Sequence, residues 1–380
     1  MTIKDDEATA PSEVSEENGE GVSMVDMKKM MSIEVTDKGK KKSLWSMTME
    51  TMGMAGGKDG HSDLWVETVE EGIPILKKYL KEKDLKLAEE QAVAKEKLPF
   101  DSWMDLVPLE AFHVTRTQFL TAFLKWAIKD REDIVEGSED AKLVVNVSKA
   151  RRRIDSYFEW MSENMAAELA KTPLTMDSIM EAHKIWELAA TITEDGKFVW
   201  WFDIAKMDQK AMKALSVNDH LRYMVFYAHL IMFNPAAQDN GILLLEELDK
   251  IGFWNCMTLI PMDLSAKMDR LTIGVMPIKM KGIYMFGSPR WMSLMMGLMK
   301  PFLSKKMRER MISVPTDVEG SRQKFCDDLL GGRKYIPDNG FVGLKGDIPI
   351  DDAFIKLKKR IRKKQEKAAK KEEEKMMAGM

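Results

Sequence analysis

The sequence predicts an α/β fold, with a helical N-terminal portion leading into a lobe built on a mostly parallel sheet with flanking helices. Three observations carry this reading. Up to about residue 190, apolar residues recur at helical spacing. From Lys197 onward, short β-rich runs (FVWWF, ILLL, IYMF) alternate with helical ones (HLRYMVFYAHLIMF, MTLIPMDLSAKMDRLTIGV). Strands spaced by roughly 10 to 20 residues need crossover connections, which favour a parallel sheet with helices packed on it. Third, Pro277–Met311 places a short strand, an apolar helix and a basic helix in succession.

Taken in order, Met1 to Val22 carries seven acidic residues and one lysine, too polar to build a core, so 1–60 is expected to be a disordered acidic region. Residues 61–190 form the helical region. Within it, Ile75, Leu76, Leu80, Leu85 and Leu87 are separated by charge, Leu109 to Lys129 predicts one helix, and Leu143 to Leu169 another. The second of these carries Ile154, Phe158, Met161 and Met165 on one face. Residues 191–345 form the α/β lobe. Its strand Gly282 to Phe286 ends at a Gly287–Ser288 turn, and Ser288 and Pro289 suit a helix start. Trp291, Leu294, Met295 and Leu298 then recur along one helical face, before Lys305, Lys306, Arg308 and Arg310 crowd a short basic helix. Residues 346–380 form a basic tail, with eleven Lys or Arg and four Glu between Lys356 and Lys375.

Composition narrows the function classes. A formal net charge of −3 and a pI near 6.1 argue against a protein that coats nucleic acid, which needs a broad basic surface. Cys256 and Cys326 are the two cysteines, so a disulfide framework is excluded and a reducing compartment is expected. The N-terminus shows no basic segment followed by an apolar one, and no apolar run reaches 18 residues.

Sequence signals for catalysis are weak. His220 and His229 lie nine residues apart, which does not put them on one helical face, and a helix cap at Asp219 with interior histidines is the preferred reading over a dyad or metal site. Met52 to Gly60 lacks the order of a phosphate-binding loop, and no HExxH, GxSxG or zinc-spaced Cys/His set occurs. Glu246 and Glu247 adjoin in a strand, so their side chains diverge to opposite faces.

The residues from Lys279 to Met311 resemble the CRAL-TRIO family of lipid-binding proteins. Lys279, Lys281, Gly282, Ile283 and Pro289 follow that family's strand-and-turn pattern, and Lys300, Pro301, Phe302, Leu303, Lys306, Arg308, Glu309, Arg310 and Met311 follow its next motif. Gly287 stands where the family commonly has Asn. The resemblance extends more weakly over Gln118 to Gly343, through Gly196–Asp208 and Asp239–Gly252; either Glu247 or Asp249 could fill the family's acidic strand end. In Gln118–Ile134, Ala122, Lys125 and Ala127 replace the family's arginines.

The resemblance implies a lobe with an apolar lipid pocket, a movable lid helix over about Pro289–Lys300, and phosphoinositide headgroup contacts at Lys279, Lys306 and Arg310. Pocket and lid candidates are Phe198, Trp200, Phe202, Tyr223, Phe226, Tyr227, Ile242, Leu244, Ile283, Met285, Trp291, Leu294, Met295 and Leu298; half of the strand residues must face helices instead. Met292, Met295, Met296 and Met299 would suit a lid that repacks. The expected function is binding, and intermembrane transfer or presentation, of a phospholipid, tocopherol-like or other isoprenoid ligand. The protein is expected to be non-catalytic, without cofactor or metal, cytoplasmic, and peripherally bound to anionic membranes. A non-transferring signalling or trafficking scaffold on the same lobe is the alternative, and a lipid hydrolase or isomerase the weaker one.

Overall fold

The structure is a computed structural model that describes residues 34–37, 40–43, 63–94, 97–128, 144–186, 188–192, 196–204, 207–249, 251–299 and 305–314. Residues 1–33 and 315–380, including the basic tail, lie outside it. Within the span expected to be disordered, β1 (Glu34–Asp37) and β2 (Lys40–Ser43) pair as an antiparallel ribbon that sets Asp37 opposite Lys40.

The helical portion opens with β3 (Trp65–Val66) and α1 (Val69–Val93), where the Thr68 hydroxyl accepts from the Glu71 amide at 3.2 Å. Helix α1 buries Leu76, Leu80 and Leu87, whereas Leu85 is 57% exposed. Five residues beyond Leu80, Leu85 lies about 140° around the helix, outside the buried stripe. The span read as one helix from Leu109 is two: α2 (Leu109–Phe112) stops at His113, whose φ of 52° is left-handed, and α3 (Arg116–Ala127) starts afresh from a Thr115–Gln118 capping box. Next, β4 (Val145–Asn146) pairs with β3, and the Asn146 side chain accepts from the Lys149 amide at 2.7 Å to start α4 (Val147–Asn164). Ile154, Phe158, Met161 and Met165 are all buried, as their spacing predicts. Two short helices, α5 (Ala166–Lys171) and α6 (Met180–Ile185), bring the chain to the sheet.

The sheet has five strands in spatial order β5 (Leu188–Ile192), β6 (Phe198–Asp203), β7 (Ile242–Glu247), β8 (Met280–Phe286) and β9 (Met311–Val314). Strand β5 is antiparallel to β6, and the other four run parallel. Between β6 and β7 lie α7 (Gln209–Ala214), α8 (Val217–Met232) and α9 (Pro235–Asn240). Between β7 and β8 lie α10 (Phe253–Leu259), α11 (Met262–Asp269) and a π-helical turn, Arg270–Val275. Helices α12 (Arg290–Met299) and α13 (Lys305–Arg310) join β8 to β9. Strand β8 begins two residues before its sequence-based start, because Met280 extends the ladder to Ile242. The 190/191 boundary expected from sequence falls inside β5.

Parallel strands that neighbour one another in chain order, joined by right-handed crossovers, put their connections on one face of the sheet. One continuous apolar core accordingly holds Phe198, Trp200, Ile242 and Ile283 of the sheet together with Tyr223 of α8, Leu264 of α11 and the α3–α4 aromatics. Helix α8 is its axis, and every residue from His220 to Met232 is buried. Its cap is Ser216 rather than Asp219. The Asp219 amide bonds the Ser216 hydroxyl, and the Asp219 carboxylate accepts back from the Ser216 amide at 3.2 Å, closing a capping box.

The helical portion is keyed into the lobe by polar contacts as well. The buried Arg153 guanidinium on α4 donates to the Ile273 carbonyl at 2.8 Å and to that of Gly274, in the π-helical turn, with its plane over Trp126. Such a turn widens the ring and leaves carbonyls misaligned, and Arg153 satisfies two of them. Arg222 similarly donates to the carbonyls of Thr172 and Pro173, at 3.0 and 2.7 Å.

Gly287, the visible departure from the family pattern, has φ of 62°, and a Cβ there would lie 2.8 Å from the Asp249 Cα. Both Gly and Asn tolerate left-handed backbone, but the close approach of the chain at Asp249 leaves room for glycine alone. The Ser288 hydroxyl donates to the Met285 carbonyl at 2.9 Å and so closes the turn.

Candidate functional site: the helix-covered face of the sheet

Strand register decides which residues share a face. Phe198, Trp200 and Phe202 pair with Ile242, Leu244 and Glu246, and those three pair with Met280, Ile283 and Met285. Paired residues on neighbouring strands point the same way, so all seven strand candidates, Phe198, Trp200, Phe202, Ile242, Leu244, Ile283 and Met285, lie on one face. It is the face covered by the crossover helices. Val199, Trp201, Leu243, Leu245 and Phe286 lie on the other face, and each is at most 2% exposed.

Burial is uneven on the helix-covered face. Phe198, Trp200, Ile242, Ile283 and Met285 are buried, but Phe202, Leu244 and Glu246 are only half-buried although they sit on the central strands of the sheet. Asp269, at the end of α11, is exposed. Solvent reaches these side chains toward the C-terminal ends of β6 and β7.

Three carboxyl and thiol groups influence one another at this end of the sheet. Burial, and next the charge of Asp269, push the Glu246 carboxyl up to about 7; burial pushes Asp269 up to about 6. The Cys256 thiol on α10 is pushed up to about 11, first by burial and then by the Glu246 charge. Glu246 was legible only as one member of an adjacent pair. Its neighbour Glu247 points to the opposite face, where its carboxylate accepts from the Asp249 amide at 3.1 Å.

Tyr223, Phe226 and Tyr227 of α8 lie on the same side of the sheet and pack toward the helical portion. The Tyr223 ring stacks on Trp186, the Phe226 ring is 4.9 Å from Phe112, and the Tyr227 hydroxyl meets His183 Nδ1 at 2.9 Å. Trp186 bridges to the sheet through Phe202, with centroids 6.0 Å apart.

Helix α12, the expected lid, leaves the sheet at the C-terminal end of β8. Trp291 fastens its first turn: the indole N–H donates to the Ile251 carbonyl at 3.2 Å, and the ring meets Phe253 edge-on at 5.3 Å. The side chains of Leu294, Met295 and Leu298 are outside the described residues. At the opposite end of the strands, Lys279 precedes β8 and Arg310 precedes β9. Because Met311 pairs with Ile283, the two basic residues sit at one edge of the sheet, offset by about 10 Å along the strands. The Lys279 ammonium donates to the Ile128 carbonyl at 3.4 Å, at the junction with α3. Lys306 lies in α13, and its side chain is not described.

The histidines have structural posts. His220 Nδ1 accepts from the Trp186 indole at 3.0 Å while Nε2 donates to the Met212 carbonyl, also at 3.0 Å. His229 donates from Nδ1 to the Val225 carbonyl and accepts at Nε2 from the Tyr157 hydroxyl, both at 2.7 Å. Burial lowers both histidines, His229 to about 4, so each is a neutral ring held in one tautomer. Among the described residues, no group of three or more His, Cys, Asp and Glu could hold a metal ion, and no helix is long and apolar enough to cross a membrane.

A helical lead-in and four parallel strands in unreversed order, with the crossover helices packed against the sheet, define an α/β lobe. Residues 190–330 match the family model described as the CRAL/TRIO domain, the family that Lys279–Met311 resembles. The solved structure named "Crystal structure of Sfh5" aligns at 12% identity and a TM-score of 0.34, over 50% of this chain and 66% of that one.

Proposed function

We propose that the lobe encloses one lipid between the helix-covered face of the sheet and its crossovers, and carries or presents it at membranes without covalent chemistry. The observation that carries this reading is the half-burial of Phe202, Leu244 and Glu246 on central strands, beneath helices that leave the other face sealed. Burying an acyl chain or isoprenoid there gains about 0.8 kcal/mol per methylene, so apolar walls suffice for affinity. Phe198, Trp200, Ile242, Ile283 and Met285 form the inner floor, Phe202 and Leu244 line its half-buried end, and α12 is the lid. Its opening breaks the Trp291 contacts and is assisted when its apolar side meets a bilayer, drawn there by Arg310, Lys306 and Lys279 binding anionic headgroups, phosphoinositides among them. Both ring nitrogens of His220 and of His229 are taken up by hydrogen bonds within the fold, so neither ring is offered to a bound ligand.

Native mass spectrometry of the full chain after incubation with mixed-lipid vesicles tests the reading. A bound lipid that exchanges with a second vesicle population is the expected result. A chain that neither retains nor takes up lipid overturns it.

A further inference from the structure

The π-helical turn Arg270–Val275 is an irregularity that the lipid reading leaves without a task. The Met276 amide reaches back five residues to the Leu271 carbonyl at 2.8 Å, so the turn holds one residue more than an α-helical turn would. Side chains serve the carbonyls that the widening leaves: the Thr272 hydroxyl donates to Met268 at 3.0 Å, and Arg153 of α4 donates to Ile273 and Gly274. Arg270, which opens the turn, pairs with Glu159 and Glu163 of α4 at 3.6 and 3.9 Å. The helical portion thus grips the turn near both of its ends.

This grip costs stability. Burial lowers the Arg153 guanidinium to about 10, and among the described residues no carboxylate pairs with it. An α-helical turn beside an apolar side chain would avoid both the buried cation and the misaligned carbonyls. Beyond the turn the chain is fixed, with Met276 fully buried and the Lys279 ammonium on the Ile128 carbonyl at 3.4 Å. Before it stands α11, eight residues long. A change in the turn is therefore passed to α11: moving the extra residue by one position rotates that helix by about 100° and slides it by about 1.5 Å.

We propose that the π-helical turn is a joint at the base of α11, latched to α4 through Arg153 and Arg270, and that unlatching lets α11 lift from the sheet to pass a lipid. The inference rests on the lipid-carrying reading and adds its control. The helical portion then sets how readily the lobe opens, through a crossover other than α12.

Hydrogen exchange of the full chain, read peptide by peptide by mass spectrometry, tests the joint. In Arg153→Met, amides from Met262 to Lys279 should exchange about thirtyfold faster, the loss of two hydrogen bonds, while those of α8, β6 and β7 keep their rates. Arg153→Lys, which restores one donor, should fall between. Should Arg153→Met fail to fold, as read by circular dichroism, Arg270→Gln carries the test, with the same peptides faster by about two- to threefold. Faster exchange spread evenly over all elements makes Arg153 a plain stabiliser and overturns the joint. Native mass spectrometry then follows the exchange of bound lipid with vesicles of phosphatidylcholine and phosphatidylinositol, which the variant that opens locally should speed about fivefold or more. Local opening with lipid exchange unchanged overturns the control of loading and leaves lipid carriage standing. A parent chain that binds no lipid overturns the carriage and its control together, whatever the amides show.

Discussion

At the scale of single residues, the buried histidines set an acid limit on the fold. His229 is neutral when folded and is depressed from 6.5 to about 4 by burial. Between those values the unfolded chain binds a proton that the folded chain refuses, so this residue's contribution is complete above about 6.5 and is lost as pH falls toward 4. A shift of that size is worth on the order of 3 kcal/mol. Glu246 and Asp269 act with the opposite sign, since their raised values favour the folded state at lower pH. Comparing the parent with His229→Gln, which keeps an acceptor for Tyr157 and a donor for Val225, cancels those carboxyl effects. Urea titrations at several pH values should show the parent's stability relative to the variant falling as pH drops from 6.5 to 4. A difference that stays flat across that window contradicts the neutral assignment.

Among secondary elements, legibility followed amphipathic contrast. Helix α4 could be read because Ile154, Phe158, Met161 and Met165 stand against charged neighbours. Strands β6, β7 and β8 could be located as apolar runs, but parallel strands covered on both faces carry apolar residues at every position, so the half under the crossover helices was invisible until register was known. Strand β5, Leu-Ala-Ala-Thr-Ile, was missed because its small residues continue the pattern of the preceding helix. The Glu246–Asp269 pair was beyond sequence altogether, since its members come from a strand and a helix 23 positions apart. Lid mobility belongs to this scale too. Trp291→Phe keeps the ring against Phe253 and removes the bond to the Ile251 carbonyl. Its loss, worth about 1 kcal/mol, should speed release of a fluorescent lipid roughly fivefold, as stopped-flow transfer between vesicles would read. Unchanged release would place the rate-limiting step elsewhere than at this latch.

Across the whole molecule, charge is local, and docking should depend on where it lies rather than on its sum. Lys306 and Arg310 stand on the crossover that carries the lid, whereas Lys279 is tied into the junction with α3. Reversing Lys306 and Arg310 to Glu should cut binding to phosphoinositide-containing liposomes by tenfold or more at physiological salt, with a smaller loss at high ionic strength, where screening already weakens the attraction. Co-sedimentation indifferent to the reversal would remove these residues from the docking surface. The shared core from α3 and α4 to the sheet also means that the helical portion and the lobe should unfold as one cooperative body.

The helix proposed as the lid has a further property that follows from where its ends are fixed. It is no terminal flap, because α12 and α13 are the chain's own bridge from β8 to the neighbouring strand β9, with Gly287 at one abutment and Arg310 at the other. A span anchored at both ends can bow outward and settle back, but it cannot detach, rotate freely or reseat in another register without unzipping the edge strand. In the proposed lid movement each loading cycle therefore ends where it began, with the sheet as the frame that returns the helix to its seat.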